Sequence, residues 1–274
     1  MQKMISEDVI KNDLLKSISD RFNIEYNHLI EEFDKLNKLR SVNSKYSCDH
    51  HFFSRDNEQS FYWAGFLAAD GCVYKRGENK TLTVSLAEKD IDHLLMFKSH
   101  INYDGIIYSS TSKHSLKNPK WNDSIKKSLS ISSDSIFNDL ERFNLEPNKT
   151  KIYTFPQWLK SHPLVNHYMR GYVDGDGSWF EDKKRGRICF ELRGTKEFLK
   201  DYKEILESNL DIESRTSVTT PDSTSKIKYY SKHLVPQISD FLYKNATIYL
   251  QRKYDIAIKS KDIIITRKRY LYDK

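Results

Sequence analysis

Two aspartates, Asp70 and Asp176, each close an apolar run with an Asp-Gly step, and they stand 106 residues apart. The first run reads Trp63-Ala64-Gly65-Phe66-Leu67-Ala68-Ala69-Asp70-Gly71; the second reads Met169-Arg170-Gly171-Tyr172-Val173-Asp174-Gly175-Asp176-Gly177. Two carboxylates brought together cannot both stay ionised and unpaired, and a divalent cation is the usual resolution. Carboxylate, carbonyl and water oxygens suit Mg²⁺, which keeps several waters and shares ligands with phosphate. The carbonyls of Ala69 and Gly175 adjoin the two acids and are further candidate ligands. Such a site hydrolyses a phosphodiester by activating water and stabilising the leaving oxygen. The blander alternative is that Asp-Gly only stops a helix; two copies in equal phase weigh against it.

Positioning these acids requires two helices packed side by side. Gly65/Ala69 and Gly171/Gly175 are small pairs four apart, a spacing that lets helix backbones approach closely. The rest of the chain repeats around them. Leu86 and Leu192 are also 106 apart, and Ile101 and Leu206 are 105 apart. In the first copy the pattern predicts strands at 72–75, 81–88, 105–110 and 125–131. Helices capped by Asp90 and Ser133 lie between and after them. A Pro-punctuated junction at 145–162 leads to a second copy, with a helix at 164–175, a strand from Trp179 and another at 187–193. A helix capped by Thr195, strands at 215–219 and 226–231, and a helix at 234–243 complete it. Paired strands between helices indicate an α+β fold of duplicated αββαββα units with antiparallel sheets. The expected divisions are 1–57, a helical N-terminal segment and linker; 58–150 and 151–259, the two repeats; and 260–274, a basic tail.

Composition bounds the partner. Residues 1–58 hold 9 basic and 11 acidic side chains, the remainder 36 basic and 27 acidic, so the positive excess belongs to the repeats. This favours a polyanionic partner. Three cysteines give no disulfide framework and suit a reducing compartment. The absence of a membrane-spanning apolar run or a signal block points to a soluble intracellular protein, of phage or bacterial cytoplasm or an organelle matrix. In the N-terminal segment two apolar stripes, Val9 to Phe22 and Leu29 to Leu39, flank a break at 23–27. A helix-turn-helix and a plain helical hairpin both fit. Ser41 to Asn57 reads as a polar linker; its Cys48-Asp49-His50-His51 has no second ligand pair at metal-site spacing.

Both Asp-Gly stretches resemble the LAGLIDADG motif, and residues 58–256 resemble a two-motif, single-chain LAGLIDADG homing endonuclease. The first copy is loose, with Trp63 and Phe66 for leucines and Ala68 where the pattern has Asp. The resemblance implies a pseudo-twofold pair whose helices form the interface and whose two saddle-shaped sheets straddle double-stranded DNA in the major groove. It implies metal binding at Asp70 and Asp176 in a monomer. Cleavage would cross the minor groove and leave 3′ overhangs at a long, intron- or intein-related target. Mn²⁺ is expected to substitute for Mg²⁺, and Ca²⁺ to bind without supporting cleavage. The family also places a basic residue near the metal late in each repeat. Lys149 and Lys253, 79 and 77 residues after their aspartates, are in that phase, as catalytic groups or as phosphate contacts. Glu88 and Gly194 fall where the family often has a polar pocket residue, so the two half-sites are expected to be unequal. An RNA-binding intron maturase, and a transcription regulator on a retired scaffold, are the rival readings.

The strand patterns supply a reading surface of their own accord. Thr81, Thr83 and Ser85, then Lys126, Ser128 and Ser130, occupy polar faces in the first copy. Arg187, Glu191 and Arg193, then Arg215 and Ser217, then Lys226, Lys228 and Tyr230, do so in the second. Mixed donors and acceptors on a ribbon suit the major groove. Basic turns at Lys75-Arg76 and Lys183-Lys184-Arg185 are candidate phosphate contacts. Arg267-Lys268-Arg269 in the tail is either a further non-specific contact or a solvated end.

Overall fold

The computed structural model describes residues 15–21, 24–31, 46–77, 79–113, 123–221 and 224–272, with the side chains of Arg76 and of 262–272 left outside. The chain forms two compact units, Met1–Tyr46 and Ser47–Lys274. In the first, residues 15–21 and 26–31 are helical, and Ser19 Oγ donates to the Ile24 carbonyl at 2.7 Å across the break between them. The start of the first stripe at Val9 and the end of the second at Leu39 lie outside the described residues.

The second unit contains both repeats. The first is α1 (Glu58–Asp70), β1 (Gly71–Arg76), β2 (Asn79–Ala87), α2 (Ile91–His100), β3 (Tyr108–Ser112), β4 (Ser124–Ser132) and α3 (Asp134–Glu141). The second is α4 (Val165–Asp176), β5 (Gly177–Asp182), β6 (Arg187–Gly194), α5 (Lys196–Leu210), β7 (Ser225–Tyr229) and α6 (Leu234–Tyr243), followed by α7 (Gln251–Tyr272). The fold is α+β with two antiparallel sheets, ordered β1-β2-β4-β3 and β5-β6-β7.

Helix α1 starts where the Asn57 side chain accepts the Ser60 N–H at 2.9 Å. Its residues Ser60 to Ala68 are all buried, as expected of a helix apolar on every face. It packs along α4. The small-residue stripe is the reason. A Cβ at Gly65 would overlap the Tyr168 carbonyl oxygen, and one at Gly171 would overlap that of Tyr62. Both helices end at a glycine that turns the chain into the first strand of its repeat. A Cβ there would lie 2.6 Å from the Leu67 oxygen (Gly71) or the Val173 oxygen (Gly177).

The sheets lay their apolar faces on the helices: Leu82, Val84, Leu86, Leu129 and Ile131 in one repeat, Ile188, Phe190, Leu192 and Ile227 in the other. Ser133 and Thr195 cap α3 and α5 as expected, each accepting an N–H at 3.2 Å.

Several expectations need correction. Residues 215–219 are extended coil with one bridge, Thr219 to Lys226, so the second sheet has three strands among the described residues. Their hydroxyls compete for the groups a ladder would use, Thr216 Oγ1 donating to the Lys228 carbonyl and Thr219 Oγ1 to that of Lys226. Strand β3 begins at Tyr108, not at 105. Asp90 does not cap α2 with its side chain, because Arg252 engages both its oxygens. Leu95 of α2 is exposed, whereas Leu94 and Phe97 are buried. The linker is docked from Ser47 onward: Ser47 bonds Asp104, and Phe52 and Phe53 are buried. Cys48 Sγ lies 3.7 Å from His50 Nδ1, which in turn meets Ser133 Oγ at 2.7 Å. Among the described residues no three His, Cys, Asp or Glu side chains converge on one point. Helix α7 runs through residue 260 to Tyr272, so the division placed there falls inside a helix. Among the described residues no helix is long and apolar enough to cross a membrane.

Candidate metal centre and nucleic-acid interface

Asp70 and Asp176 are the last residues of α1 and α4, so the packed helices deliver them to one place. A Cβ at Gly175 would overlap the Ala69 Cβ and stand 3.5 Å from Asp70 Oδ2. Helix C-termini carry unpaired carbonyls and the negative end of the helix dipole. Two such ends bearing two carboxylates form a concentrated negative pocket. Both acids reach solvent, yet protein atoms crowd them enough that desolvation dominates. It pushes both carboxyls up, Asp176 to about 6 with the Asp70 charge as second cause, while Lys253 and Lys149 pull the other way.

The two lysines are where the repeat phase puts them. Lys149 opens a short 3-10 turn at Lys149–Lys151 and is buried; its Nζ donates to the Gly71 carbonyl at 2.8 Å. Lys253 sits in the first turn of α7, also buried, and its Nζ donates to the carbonyls of Val173 (3.0 Å), Asp174 (2.7 Å) and Gly175 (2.7 Å). Burial lowers both ammonium pKa values, that of Lys253 to about 8. Each lysine thus neutralises the carbonyls beside one aspartate. The Gly175 carbonyl, expected as a free ligand, already accepts Lys253, which leaves it one lone pair; Ala69 has no such lysine partner among its described hydrogen bonds.

The two sides differ. Asp174, opposite Ala68 in the repeat, is buried and accepts from Tyr62 Oη (2.8 Å), Tyr243 Oη (2.7 Å) and the Leu250 N–H (2.8 Å). One helix turn earlier, buried Arg170 donates to Glu58 (2.6 Å) and to the carbonyls of Ile248 and Leu242. These residues tie both helices to the segment carrying Lys253. Sequence reasoning missed them; the available signal was an arginine and an aspartate inside an otherwise apolar interface. Glu88 is exposed and pairs with Lys127 at 3.2 Å, whereas Gly194 has no side chain and a Cβ there would lie 2.8 Å from Tyr172 Oη.

The outward sheet faces carry most of the expected contacts. Thr83 pairs with Ser130 at 2.9 Å and Ser85 with Ser128 at 2.7 Å; Lys126 is exposed on the same face. Thr81 is buried beside Ser132 and does not join that surface; Lys75, a candidate phosphate contact, is exposed on the opposite face of the sheet. The Arg76 side chain lies outside the described residues. In the second sheet Arg187, Glu191, Arg193, Lys226 and Lys228 share one face by register. Cys189, on the same face by register, is buried. Lys183, Lys184 and Arg185 are exposed in the β5–β6 turn, with Arg185 paired to Asp182. Arg215, Ser217, Lys226, Lys228 and Tyr230 line an open groove of about 720 Å³ beside β7.

Residues 163–268 match the LAGLIDADG-like domain family. The homing endonuclease I-WcaI bound to its DNA recognition sequence has a similar fold, with TM-score 0.54 and 14% identity over 72% of this chain and 85% of that one. The LAGLIDADG homing endonuclease I-GzeII in complex with its DNA target gives 0.50 and 13%, over 79% and 92%. The meganuclease I-SmaMI bound to uncleaveable DNA gives 0.50 and 16%, over 77% and 91%. Comparison with curated proteins gives no match. The second repeat is a LAGLIDADG-like domain, and the chain has the fold of the LAGLIDADG homing endonucleases.

Proposed function

We propose that this chain is a monomeric, divalent-metal-dependent endonuclease that recognises a long asymmetric DNA site. It cuts both strands across the minor groove and leaves 3′ overhangs. The observation that carries the reading is the delivery of Asp70 and Asp176 to one pocket by two packed helix ends, with a polar sheet face in each repeat.

The donor set fits a divalent cation. Two carboxylates at negative helix ends, both raised by desolvation and Asp176 also by the Asp70 charge, are relieved by bound positive charge. Mg²⁺, when bound, supplies Lewis acidity and an activated water. Asp70 and Asp176 would hold it, with the Ala69 carbonyl, the remaining Gly175 lone pair, water and phosphate oxygens as further ligands. Lys149 and Lys253 hold ammonium charge beside the carboxylates, where it offsets charge building on the scissile phosphate and orients water. The basic side chains of both repeats supply the phosphate contacts that set register on the duplex.

The test is cleavage of a randomised double-stranded DNA library by the full chain in Mg²⁺, with Ca²⁺ as a binding-only control. Asp70→Asn and Asp176→Asn are each expected to abolish double-strand cleavage while leaving DNA binding within a few-fold. Cutting by the double variant would overturn the site assignment. Absence of DNA cleavage by wild type, with binding to a structured intron RNA, would overturn the nuclease reading in favour of a maturase.

A further inference from the structure

The two outward sheet faces are built from different chemistry. On the first, the central positions are hydroxyls, and they satisfy one another across β2 and β4: Thr83 with Ser130, Ser85 with Ser128. Among the described side chains of that face, Lys126 is an exposed cation at one end. On the second, Glu191 and Lys228 stand where Ser85 and Ser128 stand on the first, while Cys189, in phase with Thr83, is uncharged and buried; the charged side chains of this face are already held in place. Glu191 stands between Arg193 at 3.3 Å and Lys228 at 3.4 Å. Asp182 holds Arg187 at 3.3 Å, and the Arg187 guanidinium lies over the Tyr230 ring, 5.1 Å from its centre. The Lys228 ammonium lies 4.7 Å from the centre of the Phe180 ring.

These two chemistries read DNA unequally. A hydroxyl donates or accepts, so it bonds the edge of any base and discriminates little. An arginine fork matches the two acceptors of guanine, and a carboxylate accepts from the cytosine amino group. Side chains fixed beforehand by ion pairs and ring contacts lose less freedom on binding. Exposed cations meeting phosphate or guanine also make binding salt-dependent, which hydroxyls do not.

Resting on the endonuclease reading above, we propose that the second repeat carries the sequence-specific, salt-sensitive share of target recognition. Arg193, Glu191, Lys228 and Arg187 read a G·C-containing half-site, while the first repeat tolerates variation through its hydroxyl face.

The experiment is selection of cleaved sites from a randomised duplex library by the full chain, with Arg193→Ala, Arg193→Lys, Glu191→Gln and Ser128→Ala run beside wild type. Wild type is expected to give one half-site with roughly tenfold preferences at G·C positions and one near random. Arg193→Ala should erase preference at one position of the sharp half. Arg193→Lys keeps the charge but loses the fork, and should do the same with less loss of affinity; it covers the case in which the alanine variant does not fold. Glu191→Gln should relax the neighbouring position, and Ser128→Ala should change neither half. Lys228→Ala is expected to reduce the salt slope of binding by about one. If wild type cuts no duplex, the endonuclease reading fails. If it cuts with both halves equally sharp, or Arg193→Lys leaves every preference in place, this inference fails alone.

Discussion

Arg252 donates two hydrogen bonds to Asp90, at 2.8 and 3.0 Å, from the position next to Lys253. The pair joins α7 to the first repeat and places a guanidinium near enough to Asp70 to favour that acid's charged form. The first repeat has no equivalent, since the residue before Lys149 is Asn148. The pocket therefore has an extra cation on the Asp70 side alone. Replacing Arg252 with Ala is expected to slow cleavage about tenfold and to widen the difference between the two nicking rates. The melting temperature should fall as well, because buried Asp90 is left without the partner of both its oxygens, a cost of about 1–3 kcal/mol. Strand-specific labelling of a selected target measures this. Equal slowing of both strands would show that the guanidinium serves both sides.

The glycine stripe gives a stability prediction. At Gly65 and Gly171 an added methyl meets backbone oxygen, which cannot rotate away. Either Gly→Ala change should cost about 3 kcal/mol or more, through separation of the helices. Gly77 has φ +59° with open space around it, so Gly77→Ala should cost only about 1 kcal/mol, from backbone conformation. Chemical denaturation of the three variants separates these mechanisms, and equal losses would contradict the packing account. Cleavage should fall in step with stability only for the two interface variants, since those also displace Asp70 and Asp176.

Asp174 is the third case. Its buried carboxylate accepts three donors, including the backbone N–H of Leu250, three residues before Lys253. Asp174→Ala leaves those donors unpaired and should destabilise by about 3 kcal/mol. Tyr243→Phe removes one donor and should cost about 1 kcal/mol. Addition of the two losses in the double variant would disprove the shared network, because coupled partners are not additive.

How much of this is legible in the sequence depends on repetition. Asp70, Asp176, Lys149 and Lys253 each recur in phase, so the duplication marks them, and burial brings them together as the pattern implies. The Arg252–Asp90 pair spans 162 residues between non-equivalent positions, so no repeat announces it. Asp174 hides within its own motif, where an acid reads as part of the run and not as a hydrogen-bond acceptor for two tyrosines. Residues 215–219 alternate well enough to read as a strand. The Thr216 and Thr219 hydroxyls donate to the carbonyls of Lys228 and Lys226, and that competition does not show in periodicity. Cys189 and Thr81 have polar-face parity but are buried, because parity gives the face and not how far neighbouring side chains cover it.

The titration of the pocket supplies the last prediction. The carboxyl of Asp176 is raised from 3.8 to about 6, chiefly by desolvation and then by Asp70. Between those values the folded chain holds a proton that the unfolded chain has released, so stability falls as pH rises through that window. Above pH 6 the carboxylate is ionised and a divalent cation offsets the loss. Calcium should therefore raise the melting temperature at pH 7 and have no effect at pH 5, and Asp176→Asn should remove the difference. Lys253, lowered to about 8, sets the other limit. Above that pH its neutral amine has two donors for three carbonyls and no charge to offset phosphate. Single-turnover cleavage in Mg²⁺ is expected to rise with pH near 6 and fall again near 8. A rate that is flat from pH 5 to pH 7 would remove Asp176 from the metal site.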